Sequence, residues 1–320
     1  VLGVRRVHDL LHRHPSISPA VILLLTCVVF TVLNQRFAAP AALSLLVQQT
    51  AIVAALAIGQ TLIILTAGID LSVGAIAVLS SMLAAMLSVP PSVALLVGIM
   101  AGFAAGCLNG LLVTRIGLPP FIVTLGTLSI VTAAVLIYTG GRSVPGARLP
   151  DLLTWTGEVI NIGGFRITTG VLMVAAMYLV VGFALGQTAW GRHVYAVGDD
   201  PDAARLAGIR VNRVLFSVYA VAGLLYGLAA WVLIGRAGAA SPNAIANANL
   251  ESITAVVIGG TSLFGGRGGL TGTLLGSLIV QSFAVGLSLA GVDNQYRLLA
   301  VGVLVIGAVS VDQWIRRVRS

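Results

Sequence analysis

Long apolar runs separated by short polar breaks make up this chain, and most runs approach the ~20 residues that carry a helix across a bilayer. Residues 19–33 form the first. Residues 37–69 hold no charged side chain and predict a second span over 45–67. Residues 71–114 are also charge-free but too long for one crossing, and the Pro90-Pro91 pair divides them into 72–89 and 92–114. Pro119-Pro120 opens a fifth span, 121–139. The main hydrophilic loop follows at 140–167, where 159–167 around Gly163-Gly164 predicts a small hairpin. Further spans are expected at 168–188, 214–234, 250–264, 270–290 and 296–311, the eighth short and interrupted by glycine. The pattern predicts an all-α, polytopic helical bundle of about ten transmembrane helices, a single domain over residues 1–320.

Composition sharpens this picture. With 58% hydrophobic and 9% charged residues, and a mean hydropathy of +1.04, the chain is no soluble domain. All 18 basic residues are arginine. A net charge of +8 would suit nucleic acid on a soluble protein, but here the arginines sit at span ends and in loops, where they act as topology signals. Ten crossings place both termini on one side. Arg36, Arg142, Arg148, Arg166, Arg236 and Arg297 fall opposite, and the remaining arginines fall with the termini and with 191–213. The excess predicts cytoplasmic termini. Cys27 and Cys107 lie inside apolar runs, so no disulfide is expected. His8, His12 and His14 read as a surface segment at the lipid headgroups rather than a metal site.

Candidate chemistry is sparse. No Ser–His, Cys–His or paired-carboxylate set lies within the spans, so no enzyme is expected. Gly260 and Gly265 have phosphate-loop spacing, but Gly266 stands where the lysine belongs. The acids sit at span boundaries, Asp70 between spans two and three and Glu251 entering span eight, which argues against ion coupling. Neutral polar stripes remain. Gln49 and Gln60, eleven residues apart, share a helical face; Thr50 and Thr61 repeat that spacing. Ser277, Gln281 and Ser288 share another face, and Asn109 lies beside Gly98, Gly102, Gly106 and Gly110, a small-residue ridge for close helix packing. Gln49, Gln60, Thr61, Asn109, Gln281 and Ser288 suit a path for a neutral, polyhydroxylated solute. Interhelical hydrogen bonding is the alternative. The ridge, and the pairs Gly182/Gly186, Gly223/Gly227 and Gly272/Gly276, pack either inside the subunit or across a dimer.

The polar stretch 191–213 carries a short helix with a full set of end signals. Asp200 is the N-cap, Pro201 the first helical residue and Gly208 the left-handed exit, with Asp202 and Arg205 suited to the helix dipole. Two turns do not hold themselves together in water. The helix therefore needs a docking partner, for which Ala203, Ala204, Leu206 and Ala207 offer a small apolar face.

Four stretches carry a resemblance: 65–74 (Leu-Thr-Ala-Gly-Ile-Asp-Leu-Ser-Val-Gly), 118–127 (Leu-Pro-Pro-Phe-Ile-Val-Thr-Leu-Gly-Thr), 191–209, and 255–268 with its Ile-Gly-Gly-Thr-Ser-Leu core. In order and content they resemble the permease subunit of bacterial ABC importers for simple sugars, of the ribose, xylose and arabinose type. The resemblance implies an inner-membrane homodimer or paired permeases, a cytoplasmic ABC ATPase holding ATP and magnesium, and a periplasmic sugar-binding protein. It makes Asp200, Pro201, Asp202, Ala203, Ala204, Arg205, Leu206 and Gly208 the coupling helix seated on the ATPase, within a cytoplasmic loop 191–213, and makes 140–167 periplasmic. Ala67 stands where that family usually has a second glycine, Asp199-Asp200 replace Gly-Asn, and Glu251 replaces Asp. A permease of the same superfamily for nucleosides or branched-chain amino acids stays open, as does a self-sufficient channel.

Overall fold

The computed structural model describes residues 17–245 and 247–293, together with 295, 296, 299, 302, 303, 306 and 307. The basic N-terminal segment with its three histidines, and most of the expected tenth span, lie outside the described residues. Helix α1 (Ile17–Leu33) leads into a capped turn and then α2 (Pro40–Leu65), α3 (Val73–Met86) and α4 (Pro91–Leu111), which ends in one π turn, Leu112–Ile116. Helix α5 (Pro120–Thr139) follows; α2, α4 and α5 each begin at a proline, where a missing N–H costs nothing. After the loop with α6 (Asp151–Thr154) come α7 (Thr169–Gln187), α8 (Ala189–Asp199), α9 (Pro201–Leu206), α10 (Val211–Ala237), α11 (Ala248–Ile258) and α12 (Leu270–Leu289).

Among the described residues, six helices are long and apolar enough to cross a membrane: α2, α4 with its π turn, α5, α7, α10 and α12. Three segments expected to span are shorter among the described residues: α1, with 17 residues, falls just below that length, and two others fall well below it. Helix α3 has 14 residues and α11 has 11, which at 1.5 Å per residue gives ~21 Å and ~16 Å against a ~30 Å hydrocarbon core. The chain leading into α3 is non-helical turn and bend, a form tolerated at membrane depth only where protein satisfies the backbone.

The expected hairpin forms as β2 (Val159–Ile162) against β3 (Phe165–Thr168), and Gly163 and Gly164 both take positive φ, 57° and 90°, as a tight turn requires. It sits over the start of α2, where Ser44 Oγ accepts from Arg166 N at 2.8 Å. Strand β1 (Val144–Pro145) pairs with β4 (Ala239–Ala240) at the same end, the hairpin end. Helices α8 and α9 mark the other.

Helix α10 is the central post, packed by α4, α2 and α3. The glycine ridge decides how close α4 comes. A Cβ on Gly102 would stand 2.6 Å from Gly223 O and 3.0 Å from Gly227 N, one on Gly106 would strike Tyr219 O, and one on Gly98 would stand 2.5 Å from Ser80 O of α3. The ridge therefore packs inside the chain, as do Gly223/Gly227 and Gly272/Gly276, the latter against Gly259 and Ala255. Gly186 meets nothing within 4 Å. On α1, α5 and α7, leucine, isoleucine, valine and phenylalanine side chains stand outward, as helices solvated by lipid require.

Candidate functional site

The break between α2 and α3 is the first part of the site. The chain turns back through Ala67, at φ 58° the one non-glycine residue with positive φ among the described residues. That conformation explains why a glycine suits the position. Beyond it, Ile69 O accepts from Thr124 Oγ1 of α5 at 3.1 Å. Asp70 Oδ1 accepts from Ser72 N at 2.7 Å and from Ser72 Oγ at 2.6 Å. Asn109 Nδ2 of α4 donates to Ser72 Oγ at 3.1 Å, and Asn109 Oδ1 accepts from Thr127 Oγ1 of α5 at 2.6 Å. Gly74 N then donates to Asn249 Oδ1 in the first turn of α11, at 3.0 Å.

Asp70 is not at a boundary. It is 1% exposed and lies beside the hydroxyl of Tyr226, whose ring abuts Gly59. Gly59 is six residues, ~9 Å, back from the end of α2, and Tyr226 is near the middle of α10. The stretch 66–72 thus re-enters the bundle and carries a carboxyl group to membrane depth, a placement that hydropathy along the chain hides because α2 and α3 look like one boundary. The argument against ion coupling loses that support.

A cavity of about 330 Å³ opens toward the hairpin end between α2, α10, α11 and α12. Gln49, Arg236, Asn247, Glu251 and Gln281 supply its polar lining, Leu56 and Ala248 part of its apolar lining. Gln281 Nε2 donates to Glu251 Oε2 at 3.2 Å. Two expected path residues, Gln49 and Gln281, are brought together here. The other four are elsewhere. Gln60 is fully buried with neither amide atom hydrogen-bonded, Thr61 Oγ1 lies 2.8 Å from Thr273 Oγ1 of α12, Asn109 is in the Asp70 network, and Ser288 is exposed. Arg236, Asn247 and Glu251 were missed as lining because their chemistry looked like loop and boundary chemistry.

At the opposite end, α9 has the expected ends. Asp200 Oδ1 accepts from Asp202 N and Ala203 N at 2.9 and 3.0 Å, Pro201 opens the helix, Gly208 takes φ 84°, and Arg205 pairs with Asp202 at 2.8 Å. Its small face is divided. Ala204 is buried against its own chain, while Ala203 and Ala207 are exposed and Leu206 is 91% exposed. Arg205, Arg210 and Arg213 line a shallow groove beside it.

Helix α8 ties α9 to the bundle. Leu65 O accepts from Gly266 N at 3.0 Å, and a Cβ on Gly198 would strike that same carbonyl. A Cβ on Gly265 would stand 2.5 Å from Gly198 O, and Tyr195 Oη donates to Gly268 O at 3.0 Å. Burial pushes the Tyr195 hydroxyl above its ordinary pKa. The glycine loop 259–269 is therefore a backbone joint, and all four motif stretches converge on residues 65–72.

Residues 42–309 match the model of the family described as branched-chain amino acid transport system / permease component. The chain belongs to that permease family. Among permeases, it is 45% identical to the fructose import permease protein FrcC of Rhizobium meliloti, over 98% of this chain and 90% of that protein. It is 37% identical to the ribose import permease protein RbsC of Bacillus subtilis, over 93% of this chain and 92% of that one. With the D-allose transport system permease protein AlsC of Escherichia coli it shares 34% identity, over 84% and 82%. No solved structure matches. Family membership and six apolar helices make this a multi-pass membrane protein.

Proposed function

We propose that this chain is the membrane-spanning permease subunit of an ABC importer for a monosaccharide, a single transmembrane domain over 1–320. The observation that carries the reading is the cavity in which Gln49, Asn247 and Gln281 stand with Arg236 and Glu251, a set of donors and acceptors that suits a polyhydroxylated solute, in a chain so similar to a fructose permease. Solute delivered by a periplasmic sugar-binding protein enters at the hairpin end. Cytoplasmic ATPase subunits, holding ATP and magnesium, act on α9 through Leu206 and the arginine groove. The arginine excess with the termini supports cytoplasmic termini in the inner membrane, with loop 191–213 inside and 140–167 outside. A second permease copy completes the path. The relatives that transport fructose, ribose and allose favour sugars over nucleosides or amino acids.

The test is reconstitution of the permease with its ATPase and binding protein in vesicles, with fructose, ribose, allose, leucine and a nucleoside offered in turn. ATP-dependent uptake of a sugar is expected. Uptake of leucine or the nucleoside alone, or proton-driven uptake by the permease without its ATPase, overturns the reading.

A further inference from the structure

The vestibule stops near Leu56 and Ala248, but the stripes that line it continue. On α2, Gln60 follows Leu56 by four residues and Gln49 by eleven, on the same face. On α10, Tyr226 and Tyr219 precede Leu233 by seven and fourteen residues, again on the lining face. These three residues lie between the vestibule and the joint with α8, and Asp70 stands beside Tyr226. All four are essentially buried, at 0–1% exposure.

Their hydrogen bonding sets them apart. Among the described residues, seven buried side-chain polar atoms have no hydrogen-bond partner, and five belong to these stripes: both amide atoms of Gln60, the hydroxyls of Tyr219 and Tyr226, and Nε of Arg236. Orphaned polar groups are rare in packed interiors because nothing there replaces the water they lose. A line of them, continuing a polar vestibule, has a simple account. We infer that Gln60, Tyr219, Tyr226 and Asp70 form a second sugar station, closed in this structure and opened toward α9 later in the transport cycle. The chemistry fits the class of solute: an amide that donates and accepts, two phenols that offer a ring face and a hydroxyl, and a carboxylate that accepts from neighbouring hydroxyls. This rests on the proposed sugar permease.

The test uses the full complex in inside-out vesicles. With Cys27 and Cys107 replaced by serine, Gln60→Cys and Tyr226→Cys are probed with a membrane-impermeant thiol reagent from the α9 side. Both are expected to be unreactive at rest and labelled during ATP turnover, while Leu62→Cys, buried on the opposite face of α2, stays unreactive throughout. In parallel, Tyr219→Phe and Tyr226→Phe each delete one buried hydroxyl, that of Tyr219 without a hydrogen-bond partner and that of Tyr226 beside the Asp70 carboxyl. A structural role predicts lost thermal stability; the station predicts stability held or raised, with the KM for sugar raised about three- to tenfold, the loss of one hydrogen bond to solute. Labelling that ignores turnover, or wild-type KM and kcat in both phenylalanine variants, overturns the station. Turnover-dependent labelling in a complex that moves no sugar would leave the station standing and remove the sugar reading.

Discussion

The amide of Gly74, in the first turn of α3, donates to Asn249 Oδ1 in the first turn of α11 across 3.0 Å. Two half-helices thus meet N-terminus to N-terminus inside the bundle, one reached from the α9 end through 66–72 and the other from the hairpin end, where β4 lies. Helices broken at membrane depth turn unpaired backbone groups toward the interior, and there those groups need partners. Asn249 is one such partner, supplied by the opposing half-helix. The contact couples two segments that approach from opposite ends of the molecule.

Replacing Asn249 by leucine removes the acceptor at similar volume and leaves the Gly74 amide stranded. The expected loss is about 1–3 kcal/mol of stability. Asn249→Asp keeps an acceptor in place and should lose less. Thermal unfolding of the purified protein ranks the two, and equal behaviour would mean that the contact carries no weight.

Gly106→Ala drives a methyl group into the Tyr219 carbonyl and to 2.8 Å from Gly223 Cα, so α4 and α10 must separate. Overpacking of this kind costs about 1–3 kcal/mol. Gly126→Ala on α5 meets nothing within 4 Å and should be silent. Yields and melting temperatures that do not differ between the variants would show that the ridge does not set the helix spacing.

On α9 the two faces separate folding from docking. Ala204→Arg has no room against its own chain and should lower membrane levels of the protein. Leu206→Glu, on a side chain 91% exposed, should leave levels normal and abolish co-purification with the ATPase. Asp200→Ala removes two capping bonds, a local cost of about 0.5–2 kcal/mol, and should weaken solute-stimulated ATP hydrolysis without ending it. Normal ATPase binding by the Leu206→Glu variant would place the docking surface elsewhere.

The Tyr195 hydroxyl joins α8 to the Gly268 carbonyl. Because burial raises its pKa in the folded chain, its contribution is complete below the ordinary tyrosine value of 10.0 and is lost as pH climbs through the folded value. Tyr195→Phe should therefore be less stable at neutral pH and should lack one component of the wild-type loss above pH 10. Coincident stability curves for the two proteins across that range would exclude the bond as a source of stability.

The sequence by itself determined that the chain lives in a bilayer, that helices open at the Pro90-Pro91 and Pro119-Pro120 pairs, where the hairpin turns, and how Asp200 caps α9. Those features depend on neighbours a few residues away and on lipid as solvent, both readable along one dimension. The four motif stretches, likewise, carried the family. Tertiary structure alone decided that the α4 ridge meets α10 rather than a second subunit, that Ala204 faces inward while Leu206 stands free, and that Gln49 and Gln281 share a cavity while Thr61 pairs with Thr273. It also took Asp70 from an apparent boundary to the depth of Tyr226. Periodicity names the face of a helix and not what lies against it, and a non-helical re-entrant segment has no hydropathy signature distinct from a loop. Only packing fixes how far such a segment returns into the bundle, because its depth is set by the partners that satisfy its backbone.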